Sequence, residues 1–211
     1  MKSHLGAVLE FAIEDRKLLD HPFYRRWEAG ELTRDELRLY AEQYRYFEEM
    51  FPRFLEELAS ELPEGIARDA VLKNLADETA TPSHLDLYNL FAEFYQASVA
   101  PISVAMSRLV DTYFDLLAQG PSAALAGLWA YESQGAGIAD SKAEGLAAHY
   151  GANNESLSFW RAHGTIEDDH AKWTLEALET IEPNDGEVRV AARLIANAWF
   201  SFLNERESLA A

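Results

Sequence analysis

The chain has 211 residues, with 36 acidic and 18 basic side chains, a formal charge of −18, 48% hydrophobic residues and no cysteine. The lack of cysteine excludes a disulfide framework, a thiolate zinc site, an iron–sulfur cluster and a cysteine nucleophile. Strong acidity repels phosphate backbones and anionic lipids, so neither nucleic acid nor a membrane is an expected partner.

The length predicts a single domain over residues 1–211, since domains usually hold roughly 100–200 residues. The first residues, MKSHLGAVLEFAIEDRK, lack the long apolar region and small-residue cleavage site of a signal peptide. No window of about 20 residues is free of charge, which argues against a transmembrane helix. These features predict a cytoplasmic protein.

Helical periodicity runs along almost the whole chain, and alternating β-branched windows are absent, so the predicted fold class is all-α. Thr33 and Glu36 have the spacing of a capping box that opens a long, aromatic-rich helix. Pro52 lies inside this helix and is expected to kink it. A second helix is predicted from about Glu64 to Thr79.

Prolines and glycines set the expected boundaries in the next part of the chain. Thr81 and Pro82 are predicted to be the N-cap and first residue of a helix with the sequence SHLDLYNLFAEFYQA. Pro101 is expected to begin the following helix, which ends at Gly120.

Pro121 opens a long predicted helix that Gly151 closes. Gly135 and Gly137, inside it, indicate a bend or a close packing point. Two further helices are predicted in NESLSFWRAHGTIEDDHAKWTLEALETI and VRVAARLIANAWFSFLNERES. The whole chain is thus expected to form seven or eight helices joined by short connections.

The spacing of His163, Glu167 and His170 places two imidazoles and a carboxylate on one face of a helix. A nitrogen and oxygen ligand set without sulfur favours iron, manganese or zinc. The alternative is a solvated helix face that happens to carry two histidines, with which the acidic neighbours Asp168 and Asp169 agree.

Glu132 lies in the apolar run LAGLWAYESQ. If it faces the core, it needs a cation or a hydrogen-bond network, because an unpaired buried charge is costly. The alternative is that Glu132 lies on an exposed stripe of its helix.

Glu78 and His84 lie on either side of a short turn, which can direct both side chains inward. Asp77 is an alternative to Glu78 as a ligand, and His84 near a helix start could equally be a surface residue. This pair is therefore a further candidate for metal binding.

Several ordered blocks resemble one family: HPFYRRWEAGELTRDELRLYAEQYRYF, FPRFLEEL, NLADE followed by HLDLYNLFAEF, YESQ followed by K, GL and YG, and FW followed by H, E and H in the same helix. The chain resembles the family of the Chlamydia protein associating with death domains, among the haem-oxygenase-like di-metal oxidases. The resemblance implies a seven-helix haem-oxygenase-like bundle, dioxygen as co-substrate and two metal ions, iron with iron or manganese. The ligands that it implies are Glu78, His84, Glu132, His163, Glu167 and His170.

The resemblance also implies a reaction, the oxygen-dependent formation of p-aminobenzoate for folate synthesis. A tyrosine of the protein itself supplies the aromatic ring, so each chain is consumed once. Tyr24 is the expected ring source and Tyr40 the secondary candidate, while Lys142 matches the amino donor and Tyr131 a further active-site tyrosine. The alternatives are that the tyrosines are core aromatics and that Lys142 is a surface lysine.

Three departures from the family pattern are visible. Glu167 replaces an aspartate, which adds one methylene to a ligand, and Phe159 replaces a tyrosine, which removes a phenol from this helix. The connection from Glu78 to His84 is one residue shorter, which keeps Asp77 open as a ligand.

Two other functions remain in view. One is an oxidase of the same fold that acts on an external small molecule. The other is a non-enzymatic interaction module, although nothing in the sequence supports death-domain binding. Trp199, Phe200 and Phe202 either complete the core or form a dimer face, and a homodimer is the expected state.

Overall fold

The computed structural model describes residues 3–209, and within them the chain forms helices and no strands, which confirms the all-α prediction. A 3-10 turn at Leu18–Asp20 separates the first two α-helices. The α-helices are α1 (His4–Ile13), α2 (Pro22–Ala29), α3 (Arg34–Glu61), α4 (Ile66–Glu78), α5 (His84–Phe94), α6 (Val104–Gln119), α7 (Pro121–His149), α8 (Ser158–Thr180) and α9 (Asp185–Ser208).

The described residues thus contain nine α-helices, more than the seven or eight expected, and the sequence patterns assigned none to α1 and α2. The cap of α2 explains why this helix is hard to predict. The Nδ1 atom of His21 accepts a hydrogen bond from the Phe23 amide at 3.2 Å, and histidine is not among the usual N-cap residues. Its Nε2 atom lies 3.0 Å from the side-chain oxygen of Asn204, which ties α2 to α9.

Helix α7 is the centre of the bundle and packs against α6, α8 and α9. Residues 123–132 are all buried, so this stretch has no solvent-facing side. The alanines here and Gly127 allow neighbouring helices to approach closely. A Cβ at Gly127 would lie 2.7 Å from Leu116 and 2.9 Å from Ile195. Glu132, the last residue of this stretch, therefore faces the protein interior.

Helix α3 forms the opposite wall and supplies five buried aromatic residues, more than any other described helix. Trp199 of α9 stacks on Tyr131 with ring centroids 4.4 Å apart, and Trp199 and Phe202 are both fully buried. These two residues therefore complete the core and are not available for a dimer face. Phe200 is partly buried against His21, with ring centroids 5.1 Å apart.

The capping box at Thr33 and Glu36 is confirmed, with the side-chain and backbone bonds of both residues in place. Helix α3 continues through Pro52 to Glu61. Helix α6 ends at Gly120 as predicted, and Gly120 has a positive φ of 132°.

Two predicted helix starts are wrong. Helix α5 begins at His84, because Ser83 and Asp86 form a complete capping box. Helix α6 begins at Val104, since the Ser103 hydroxyl accepts from the Met106 amide and so provides the cap. In both places a hydroxyl cap one or two residues after a proline overrides the proline as a start signal.

None of the described helices combines the length and apolar character needed to cross a membrane.

Candidate metal centre

Four helices bring the predicted ligands together in the interior. Glu78 is the last residue of α4 and His84 the first of α5, so the short connection between these helices holds the pair. Glu132 projects from the buried part of α7, and α8 contributes the other three. The six side chains, each less than a tenth exposed, are Glu78, His84, Glu132, His163, Glu167 and His170.

Glu78, His84 and His163 form a compact group with one potential ligand atom each, all within 4.8 Å of one another. The Nδ1 atom of His84 lies 2.7 Å from Oε2 of Glu78, and the rings of His84 and His163 are 4.3 Å apart. Burial raises the pKa of Glu78, but the hydrogen bond and charge of His84 lower it further, so the net direction is downward. An ionised carboxylate beside two imidazoles is a ligand set that suits iron, manganese or zinc.

His163 is oriented by its own helix. Its Nδ1 atom lies 3.0 Å from the carbonyl oxygen of Phe159 and can donate to it, which leaves Nε2 with a free lone pair. Nε2 lies 3.8 Å from Oε1 of Glu167. Burial lowers the pKa of His163 to about 3, and the charge of the neighbouring His84 adds to this effect. The ring is therefore neutral, as coordination to a metal requires.

His170 and Glu167 each direct a buried atom without a hydrogen-bond partner into the same region. Oε2 of Glu167 and Nδ1 of His170 are both unpartnered and lie 4.0 Å apart. On the other side of the ring, Nε2 of His170 lies 3.2 Å from Oδ2 of Asp77. Since buried polar atoms are almost always satisfied, these two atoms fit a site that takes a cation.

The carboxylates of the cluster repel one another in the absence of a cation. Burial, followed by the charges of Glu132 and Glu78, raises the pKa of Glu167 well above its usual value. Burial also raises the pKa of Glu132 to about 8, although hydrogen bonds from Thr174 and Asn74 oppose this. Bound divalent cations would reverse the direction of these shifts, so the donor set fits metal ions.

Glu132 is held by two side chains that the sequence did not reveal. The hydroxyl of Thr174 donates to one carboxylate oxygen at 2.6 Å, and the side-chain amide of Asn74 donates to the other. Both residues lie on other helices, α8 and α4, and only the tertiary fold brings them to Glu132. Their bonds fix the orientation of the carboxylate before any metal binds.

Gly135 is a close packing point, one of the two outcomes expected for it. A Cβ added there would lie 2.6 Å from Oε2 of Glu167, whereas one added at Gly137 would have its nearest contact, Leu19, at 3.8 Å. The absence of a side chain at residue 135 therefore leaves the space that the Glu167 carboxylate occupies.

We expect Gly135→Ala to weaken metal binding by about tenfold, because the new methyl group displaces the Glu167 carboxylate. Helix stability should not fall, since alanine is favoured over glycine in a helix by roughly 1 kcal/mol. Metal titration and thermal melting check both points, with Gly137→Ala as the matched control. Equal affinities for the two variants would contradict this assignment of Gly135.

A second buried cluster lies among α2, α3 and α7. The hydroxyl of Tyr40 lies 3.1 Å from that of Tyr24 and accepts a hydrogen bond from Nζ of Lys142 at 2.6 Å. Nζ also lies 4.5 Å from the centre of the Tyr24 ring. All three residues are at most 2% exposed, so Lys142 is not a surface lysine.

Aromatic rings surround the Lys142 amine on several sides. The ring centres of Trp160 and Trp27 lie 4.2 Å and 5.6 Å from Nζ, and that of Tyr44 lies 5.0 Å away. Burial lowers the pKa of Lys142 well below its usual value, although the charge of Glu48 opposes this. The surroundings thus favour the neutral amine, which can act as a nucleophile.

Tyr131, beside Glu132 on α7, does not bond to Tyr24 or Lys142. Its hydroxyl lies 2.5 Å from that of Tyr44 on α3. Neither Tyr44 nor the buried Glu48, one helical turn later, was among the predicted site residues. The spacing of Tyr44 and Glu48 is ordinary for a helix face, so the sequence alone does not mark them. Only the packing of α3 against α7 shows that Tyr44 lies beside Tyr131.

Residues 38–200 match the protein family described as iron-containing redox enzymes. Over 209 residues the chain is 31% identical to a protein of Chlamydia muridarum named 4-aminobenzoate synthase, covering 93% of this chain and 87% of that protein. A protein of the same name from Nitrosomonas europaea is 35% identical over 212 residues, covering 91% of this chain and 86% of that one.

Solved structures share the architecture. A TenA homologue from Pseudomonas syringae pv. tomato superposes with a TM-score of 0.84 at 15% identity, covering 97% of this chain and 93% of that one. A CADD-like protein of unknown function from Nostoc punctiforme has a TM-score of 0.76 at 19% identity, covering 97% and 99%. A domain from Shewanella denitrificans, described as having a heme oxygenase-like fold, has a TM-score of 0.73 at 13% identity, covering 98% and 88%. The expected haem-oxygenase-like bundle is therefore confirmed.

Proposed function

Because the chain belongs to the family of iron-containing redox enzymes with a haem-oxygenase-like fold, we propose that it forms 4-aminobenzoate for folate synthesis in an oxygen-dependent reaction. The names of relatives at 30–35% identity support this product. Tyr24 supplies the ring and Lys142 the nitrogen. The observation that carries the proposal is the amine of Lys142, held 4.5 Å from the centre of the Tyr24 ring inside a closed core.

The metal centre in this proposal uses the three imidazoles and three carboxylates of the cluster, with Glu78 rather than Asp77 as ligand. Glu78 is 3% exposed and lies against His84, whereas the side chain of Asp77 is 43% exposed. When bound, two ions, iron with iron or manganese, supply the electrons that reduce dioxygen. The protein contributes neutral imidazoles and oriented carboxylates.

Tyr40 positions both reactants. Its hydroxyl contacts the Tyr24 hydroxyl and the Lys142 amine, so it fixes the amine relative to the phenol. The buried, aromatic surroundings exclude water from both. Such a sealed arrangement leaves little room for exchange of a bulky substrate and suits a reaction on the side chain of the protein itself.

The test is to load the purified chain anaerobically with iron and manganese, add oxygen without any substrate, and assay product and protein mass. We expect about two metals per chain, at most one 4-aminobenzoate per chain, and a mass loss that maps to Tyr24. Metal binding without product would contradict the self-sacrificing reaction and favour an external small-molecule substrate. A chain that binds no metal would contradict the enzyme assignment and favour an interaction module.

Asp77 has a supporting role in this centre. Its carboxylate faces Nε2 of His170, so the proton lies on Nε2 and the Nδ1 lone pair faces Glu167. We expect Asp77→Asn to lower the affinity for one of the two metals by about tenfold, because the orienting charge is lost. Metal titration against Asp169→Asn, an equal charge change at an exposed neighbour, checks this. Complete loss of that metal would instead indicate that Asp77 is a ligand.

A further inference from the structure

Tyr44 lies between the two buried clusters. Its ring stacks on Tyr40 with centroids 5.3 Å apart and an interplanar angle of 23°. Its hydroxyl points towards α7 and lies 2.5 Å from that of Tyr131, the residue before Glu132. Tyr44 is 1% exposed, so these contacts are closed to solvent.

Tyr44 also approaches the histidine side of the metal centre. Its ring meets that of Phe159 edge-on at 6.4 Å, and the Phe159 ring lies 4.2 Å from that of His163. The carboxylate of Glu48, one helical turn after Tyr44, interacts electrostatically with both Tyr44 and Glu78. The phenol at residue 159 that the family pattern supplies is absent here, and Tyr44 is the phenol that packs against Phe159 on one side and Tyr40 on the other.

We propose that Tyr44 relays one electron from the Tyr24–Tyr40–Lys142 cluster to the metal centre, while Glu48 temporarily holds the proton of its hydroxyl. This inference rests on the proposed function, in which dioxygen reduced at the metal centre is the terminal electron acceptor. Tyr44 is oxidised and then restored in each event, so it is not consumed.

The step balances at named atoms. Tyr44 gives one electron to the centre, and its hydroxyl proton passes to the Glu48 carboxylate. The neutral phenoxyl group then takes one electron from the stacked Tyr40 ring and recovers the proton from Glu48. Tyr40 loses its own proton to the Lys142 amine, 2.6 Å away.

Glu48 is placed to act as the proton acceptor. It is 4% exposed and lies four residues after Tyr44, on the same face of α3. A buried carboxylate this close can take the phenol proton and return it.

Two neighbouring rings lack a comparable acceptor. The Nε1 atom of Trp160 is buried without a partner, so an oxidised indole would keep its charge in an apolar environment. The hydroxyl of Tyr88 donates to the carbonyl oxygen of Ala41 at 2.8 Å, and an amide oxygen is a poor base. Tyr44 is thus the ring in this stack, within residues 3–209, whose hydroxyl contacts a second phenol and which lies one helical turn before a buried carboxylate.

The test compares Tyr44→Phe with Tyr88→Phe in the metal-loaded chain. Tyr88 also stacks near Tyr44, at 5.5 Å, so the control removes a hydroxyl from the same stack. We expect Tyr44→Phe to bind metal normally but to lose Tyr24 at least about a hundredfold more slowly after oxygen exposure. Glu48→Gln, which keeps the volume but removes the base, should show the same loss, and Tyr88→Phe should react as the wild type does.

A spectroscopic measurement separates electron transfer from a packing defect. In Tyr40→Phe the next donor is missing, so oxidation should stop at Tyr44 and leave a tyrosyl radical signal in electron paramagnetic resonance. That signal should vanish in the Tyr40→Phe/Tyr44→Phe double variant. Normal Tyr24 loss in Tyr44→Phe, or an unchanged radical in the double variant, would overturn this inference alone. No Tyr24 loss in the wild type would overturn the proposed function, and this inference with it.

Discussion

Replacing Tyr24 by phenylalanine is expected to abolish 4-aminobenzoate formation while the chain still binds its metals. Phenylalanine keeps the ring that packs against Phe23 but lacks the phenol that makes the side chain easy to oxidise. The structural loss is one buried hydrogen bond, to Tyr40, which contributes about 1 kcal/mol to stability. The fold and the metal centre should therefore survive.

The measurement is product per chain after one exposure to oxygen, together with metal content and the mass of the Tyr24 peptide. Tyr113→Phe is the matched control, since Tyr113 is equally buried and its hydroxyl accepts a bond from Trp199. A normal yield from Tyr24→Phe would rule out Tyr24 as the ring source. Loss of product in both variants would indicate a general packing requirement instead.

The sequence was most informative where the determinants are local. The capping box of α3 and the end of α6 at Gly120 depend on residues within one helical turn. The grouping of His163, Glu167 and His170 on one face of α8 likewise follows from their spacing. The starts of α5 and α6 were predicted wrongly because a proline and a hydroxyl cap lie close together at each of them. The sequence does not show which of the two begins the helix.

The supporting residues could not be predicted, because they act across helices. Asn74 and Thr174 reach Glu132 over 58 and 42 residues of sequence, and Asp77 reaches His170 over 93. Nothing in the local sequence of these residues distinguishes them from ordinary helix-surface positions. Their roles depend on the packing of α4 and α7 against α8.

The tyrosine and lysine cluster shows the same limit more strongly. Lys142 meets Tyr40 across 102 residues, and a lysine in the sequence is far more often exposed than buried. Resemblance to a family, rather than any pattern in the residues, suggested these positions. The structure adds their surroundings, above all the stacking of Tyr40 on Tyr44 and the rings around the amine.

Replacing His163 and His170 together by alanine is expected to lower the metal content from about two ions per chain to less than one. The double variant removes two of the three imidazoles and leaves buried carboxylates without enough neutral donors. Glu132 and Glu167 already have raised pKa values, so without cations these two would stay protonated and bind metal poorly.

The matched control is His4→Ala plus His149→Ala, which removes two exposed histidines and leaves the cluster intact. Metal analysis after anaerobic loading gives the result, and thermal melting shows whether the helices persist. Retained full occupancy in the folded His163→Ala/His170→Ala variant would contradict the ligand assignment. A selective loss of metal with the bundle intact would instead show that these imidazoles hold the ions, because the carboxylates of α4, α7 and α8 cannot do so alone.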